Sequence, residues 1–71
     1  MIRYTVKVSD SDGNSANVLY DRNYTPRYRV EYFRTIIKVG EEFFNTEYEA
    51  TKSAQKFISP GETHEHHFNI F

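Results

Sequence analysis

Apolar side chains recur at every second position early in this chain and at every third to fourth position later on, and this change of period limits its fold more than any other feature. Ile2, Tyr4, Val6 and Val8 alternate with Arg3, Thr5 and Lys7, the pattern of a strand with one buried and one wet face. Ser9 to Ser15 is polar and contains Asp12-Gly13, residues that tolerate positive φ, so the chain is expected to turn back there. Ala16 to Tyr20 reads as the returning second strand. Asp21 to Arg27 reads as a polar connection in which Pro26 biases Thr25 towards extended geometry.

Tyr28 to Val39 is a long extended run whose apolar positions change phase. Tyr28, Val30 and Tyr32 point one way, and Phe33, Ile37 and Val39 the other. Either a bulge near Arg34 resets one strand, or two strands meet at a tight turn that lacks the usual turn residues. The first is favoured, with Gly40 ending the strand and Phe43 and Phe44 stapling the start of a helix. Thr46 and Glu49 match a capping box. Ala50, Ala54, Phe57 and Ile58 then form one helical stripe, opposite Glu49, Lys52 and Lys56. Ser59-Pro60-Gly61 is a helix stop, and His66 to Phe71 alternates enough, through Phe68 and Ile70, to return as a last strand. The expectation is an α+β fold of order β-β-β-α-β: a small, mainly antiparallel sheet of four strands with one helix packed on one face.

A chain of 71 residues buries only about 60% of the surface its unfolded form exposes, so residues 1–71 are read as one domain without a deep active-site cavity. There is no cysteine, hence no disulfide or thiolate metal site, and a reducing cytoplasm is the expected location. No signal peptide or membrane span is legible. Six Tyr and six Phe supply much burial per residue in a small core and also suit contact surfaces. Residues 1–38 carry seven Lys/Arg against four Asp/Glu (+3), and residues 39–71 carry two against six (−4), a lopsidedness that can orient encounters with charged partners.

Two segments resemble known families. Phe44 to Ala50, with Thr46 and Glu49, is similar to the strand-to-helix junction of the plant ethylene-response type of DNA-binding domain, a three-stranded sheet backed by one helix. That family reads DNA with sheet arginines and tryptophans. This chain has no Trp, so the resemblance implies the arrangement of sheet and helix and not the DNA-binding role. Thr46 to Phe71, through Glu49, Ala50, Ala54 and Pro60-Gly61, resembles small bacteriophage proteins, among them inhibitors of host RNA polymerase. The resemblance implies a helix on a small sheet that blocks a larger machine by surface contact.

Tyr20, Arg22, Tyr24, Arg27, Tyr28, Arg29, Tyr32 and Arg34 interleave rings with guanidinium groups, the groups that stack on bases and fork onto phosphates or carboxylates. Tyr and Arg are also the residues enriched in protein interface hot spots. The plainer alternative packs half the rings in the core and pairs the arginines with Asp21, Glu31 and the helix glutamates. Arg22, Tyr24, Arg27, Tyr28, Arg29 and Arg34 are taken as the partner-binding residues, with a larger protein as the expected partner and nucleic acid as the alternative, since the net charge of −1 is not that of a basic nucleic-acid domain. A third reading is an accessory subunit of a larger assembly.

Neither metal pattern is complete. His64, His66 and His67 with Glu62 and Glu65 offer two imidazoles on one side of an extended tail, and they also titrate near neutrality, but no further ligand is spaced to close a zinc site. Asp10-x-Asp12-x-Asn14 resembles the start of a calcium loop, but Ser15 stands where the loop needs glycine. No nucleophile lies near a base and no glycine-rich phosphate loop is present, so catalytic residues, cofactor and metal are all expected to be absent. The expected function is that of a small non-enzymatic protein-binding modulator, an inhibitor of the phage type.

Overall fold

The computed structural model describes the backbone of residues 2–58 and 64–67 and the side chains of residues 3–58. Strands β1 (Ile2–Ser9), β2 (Asn14–Asp21), β3 (Tyr28–Arg34) and β4 (Ile37–Phe44) precede helix α1 (Glu47–Phe57), and β5 (His64–His67) follows it. All neighbours pair antiparallel in one sheet of order β4-β3-β2-β1-β5. The small α+β class expected from the sequence holds, with the order corrected to β-β-β-β-α-β.

The correction lies in the run from Tyr28 to Val39. It is not one bent strand but a hairpin turning at Thr35 and Ile36, with Arg34 opposite Ile37. Thr35 takes a positive φ of 55°, costly for a β-branched residue. The turn is held from outside: the Thr35 N–H donates to Gly13 O at 2.7 Å, tying this hairpin to the one between β1 and β2. A bulge does exist, but in β4, where the register slips between Tyr32–Gly40 and Phe33–Lys38 and leaves Val39 unmatched. Gly40 therefore lies within β4, and Phe43 and Phe44 are its last two residues, Phe44 packing against the core that the helix covers.

The β1–β2 connection follows local chemistry. Gly13 takes φ 89°, and the Asp10 carboxylate accepts from the backbone N–H of Asp12 (2.9 Å), the N–H of Asn14 (3.0 Å) and the Asn14 side-chain amide (3.1 Å). In β1 a second bulge at Thr5, whose hydroxyl donates to Val18 O at 3.2 Å, moves the register from Tyr4–Leu19 to Val6–Val18. The simple alternation expected of β1 breaks there: Val6 and Val8 are buried, whereas Tyr4 is 46% exposed on the opposite face beside Leu19.

Helix α1 starts as its cap predicts. The Thr46 hydroxyl accepts from the Glu49 N–H at 3.2 Å and donates to the Glu49 carboxylate at 3.0 Å, so Glu49 engages the Thr46 side chain and not its amide. Ala50, Ala54 and Ile58 are buried and Phe57 packs against them, the stripe read from the sequence. The two alanines let the helix settle over β2 and β3, sealing cross-strand rows of Val6, Val18 and Val30 and of Val8, Ala16 and Tyr32. The Ser59-Pro60-Gly61 stop and the Phe68–Ile70 part of the tail strand lie outside the described residues.

Candidate partner-binding face

Because α1 covers one side of the sheet, alternate residues of each strand look onto a second, helix-free side. Strand pairing places Tyr4, Leu19, Arg29 and Phe43 in one row across it, on β1, β2, β3 and β4. The connection between β2 and β3 folds over the end of this row. It is closed by hydrogen bonds from Asp21 N to Arg27 O (2.8 Å), Tyr24 N to Asp21 O (3.2 Å) and Asn23 N to the Asp21 carboxylate (3.0 Å). That closure lays the Tyr24 ring against Phe43, with centroids 6.2 Å apart and planes at 28°. Both rings remain exposed, Tyr24 at 57% and Phe43 at 42%, while Leu19 beneath is buried. Leu19, Asp21, Tyr24, Arg27, Arg29 and Phe43 line a notch of about 150 Å³.

The arginines of this corner differ in what holds them. Arg29 Nε sits 3.6 Å from the Glu41 carboxylate, near enough for ionic attraction and too far for a hydrogen bond; it is shielded from water and has no hydrogen-bond partner among the described residues. Arg22 and Arg27 are exposed, and among the described residues their side chains form no ion pair or hydrogen bond. Further along the same face Lys38 donates to Glu31 at 3.0 Å and to Glu41 at 2.9 Å. These bonds raise the Lys38 pKa, the one to Glu41 most, and the same bond lowers that of Glu41.

Of the six residues singled out from the sequence, Tyr24, Arg27 and Arg29 are therefore brought together, and Arg22 is exposed on the same loop without lining the notch. Tyr28 does not join them: it faces the helix side, half-buried against Tyr20 with centroids 5.1 Å apart, and burial followed by the nearby Glu47 raises its pKa. Arg34 lies at the other end of β3, donating to the Asn14 side chain at 2.9 Å with its guanidinium 5.2 Å from the Phe57 ring centre. Sequence reading missed Tyr4, Leu19 and Phe43. The adjacent pair Val18-Leu19 was the available signal, since two apolar neighbours on a strand supply both faces.

On the helix side a shallow groove of about 460 Å³ runs between α1 and β4, lined by Tyr32, Val39, Glu42, Ser53, Lys56 and Phe57. The Tyr32 hydroxyl donates to Glu42 at 2.7 Å and meets Ser53 Oγ, which also donates to Glu42 at 3.2 Å. Burial, more than these bonds, pushes the Tyr32 pKa up to about 12, so the phenol stays protonated and ties β3, β4 and α1 together. Among the described residues no three His, Asp or Glu side chains converge as metal ligands, and no helix is long and apolar enough to cross a membrane. The side chains of His64, His66 and His67 lie outside the described set.

Comparison of the chain with known protein families, curated proteins and solved structures gives no match.

Proposed function

We propose that this domain is a non-enzymatic binding module that docks a larger protein through the corner of its helix-free face formed by Arg22, Tyr24, Arg27 and Arg29, and modulates that protein by surface contact. The observation that carries this reading is the joining of two exposed, stacked rings with Arg27, which forms no ion pair or hydrogen bond among the described residues, and Arg29, whose Nε lacks a hydrogen-bond partner among them, above a buried leucine floor. Rigid aromatic anchors and arginine are what protein interfaces use for affinity, the rings because few rotamers must be frozen on contact and arginine because its planar fork supplies several donors at once. Inhibition of the partner and service as its accessory subunit both follow from such docking. Nucleic acid is the second reading, supported by the Tyr24–Phe43 pair beside arginine, but Asp21, Glu31 and Glu41 share this face and oppose a phosphate backbone.

The test is affinity capture with the wild type, with Arg22→Glu plus Arg27→Glu, and with Lys52→Glu on the exposed side of α1. Loss of a desolvated arginine anchor costs about 2 kcal/mol or more. Capture of one defined protein, unaffected by nuclease, lost in the double variant and kept in Lys52→Glu, supports docking at this corner. Retention in the double variant removes it. Capture abolished by nuclease moves the reading to nucleic acid.

A further inference from the structure

The notch below Tyr24 and Phe43 holds a buried donor with no acceptor among the described residues. Arg29 Nε is out of reach of water and of any hydrogen-bond acceptor among the described residues, and Glu41 approaches only to 3.6 Å. A buried polar group left in that condition raises the free energy of the unbound domain, and an acceptor brought by a partner relieves it. Arg27 lines the same notch and Arg22 belongs to the same loop, both without an ion pair among the described residues. Asp21 is the one acid in the lining and Glu41 stands behind Arg29, so Arg27 is the cation of the lining that forms no ion pair among the described residues.

Size decides the kind of occupant. Sites for small molecules and cofactors usually enclose about 300–1,000 Å³. The notch, at about 150 Å³, holds one or two side chains instead. We infer that it receives a carboxylate side chain from an acidic segment of the protein partner, with an adjoining apolar residue of that segment resting on Tyr24 and Phe43. A planar carboxylate matches the guanidinium fork; the Arg29 side chain, 31% exposed, turns its Nε from Glu41 towards it while Arg27 closes from the rim. The exposed aromatic pair gives the neighbouring apolar group a surface to bury. This inference rests on the docking reading above and adds the chemistry of the docked segment.

The test titrates the isotope-labelled domain with a short blocked peptide of alternating Glu and Leu, with its Gln-for-Glu counterpart, and with oligo(dT) of similar length, followed by NMR. The Glu peptide is expected to bind saturably, to shift the Arg29 Nε–H resonance and the amides of Tyr24, Arg27 and Phe43, and to bind about tenfold more tightly than the Gln peptide. Arg27→Gln, an exposed change that leaves the fold intact, is expected to weaken the Glu peptide about tenfold. Glu41→Gln is expected to tighten it, because the internal competitor for Arg29 is gone. Equal binding of the Glu and Gln peptides overturns the inference. So does tighter binding of oligo(dT), or no saturable binding of the Glu peptide below about 1 mM. In any of these cases the docking reading still stands if Arg22→Glu plus Arg27→Glu abolishes partner capture, and it falls separately if capture survives.

Discussion

On β2, Ala16 and Val18 are sealed beneath α1, whereas Ser15 and Asn17, each one residue away, look onto the helix-free face. The same alternation runs through β3, where Val30 and Tyr32 go under the helix and Arg29 and Glu31 do not. The covered face is apolar: valines and alanines close-packed at its centre, Tyr28, Phe44 and Phe57 packed around them, and a polar network of Tyr32, Glu42 and Ser53 at its margin. The open face is mixed, with Lys38 bridging Glu31 and Glu41 in its middle and one buried side chain, Leu19, under a roof of rings and arginine at its end. Stability is thus concentrated on one side, and the other is free to vary its chemistry.

The sharpest way to break the contrast is to put one charge on each face. Val18→Asp buries an uncompensated carboxylate and is expected to cost at least about 3 kcal/mol. Stability runs at roughly 0.05–0.15 kcal/mol per residue, so over 71 residues that loss removes from about a third to most of the stability. Asn17→Asp, its neighbour on the open face, is expected to stay within about 0.5 kcal/mol of the wild type. Urea unfolding followed by circular dichroism measures both. Similar costs for the two variants would mean that the open face also holds the fold together.

A smaller effect is expected at the helix. Ala54 is fully buried against the sheet, and Ala54→Leu overpacks that contact at a cost of about 1–3 kcal/mol. Lys52→Leu, on the exposed side of the same helix, is expected to change the unfolding midpoint little. A reversed order of the two midpoints would place the helix in the wrong rotational phase.

How much of this was legible in the sequence follows from where each feature gets its energy. The Thr46 cap, the Ala50/Ala54/Ile58 stripe and the Asp12-Gly13 turn are local devices, and each was readable from a few adjacent residues. The Thr35–Ile36 turn was not. It is secured by the Thr35 N–H to Gly13 O bond, a contact between segments far apart in sequence, and Thr35 carries a conformation its own chemistry disfavours. Three of the six chosen site residues gather because Tyr24 and Arg27 sit in one closed loop and Arg29 is the second residue of the strand that leaves it. Tyr28 falls away because strand alternation sends it under the helix, and Arg34 because six residues of β3 carry it to the far end. Phe43 entered the site only through the β3–β4 register opposite Arg29, which depends on the turn that sequence reading did not favour.

The polar margin of the covered face supplies the smallest and most specific expectation. Tyr32 is 7% exposed, and its hydroxyl is hydrogen-bonded to Glu42 and Ser53. Tyr32→Phe keeps the ring against Phe57 and leaves Glu42 and Ser53 bonded to each other, so the cost is that of one net hydrogen bond, about 1 kcal/mol. The pH dependence separates this from a packing defect. Burial holds the folded phenol at about 12 against 10.0 for an ordinary tyrosine, so between these values the unfolded chain has lost a proton that the folded one retains. The unfolded state therefore binds fewer protons, and stability falls as pH rises. The contribution is complete below pH 10.0, declines above it and is gone once the folded phenol ionises near 12. Tyr28, raised by the same cause, gives a decline of the same sign, so Tyr32→Phe is expected to flatten the alkaline slope of the urea midpoint without abolishing it. An unchanged slope in Tyr32→Phe would show that the phenol is solvated in the folded protein and that the margin of the helix-covered face is as open as the opposite side.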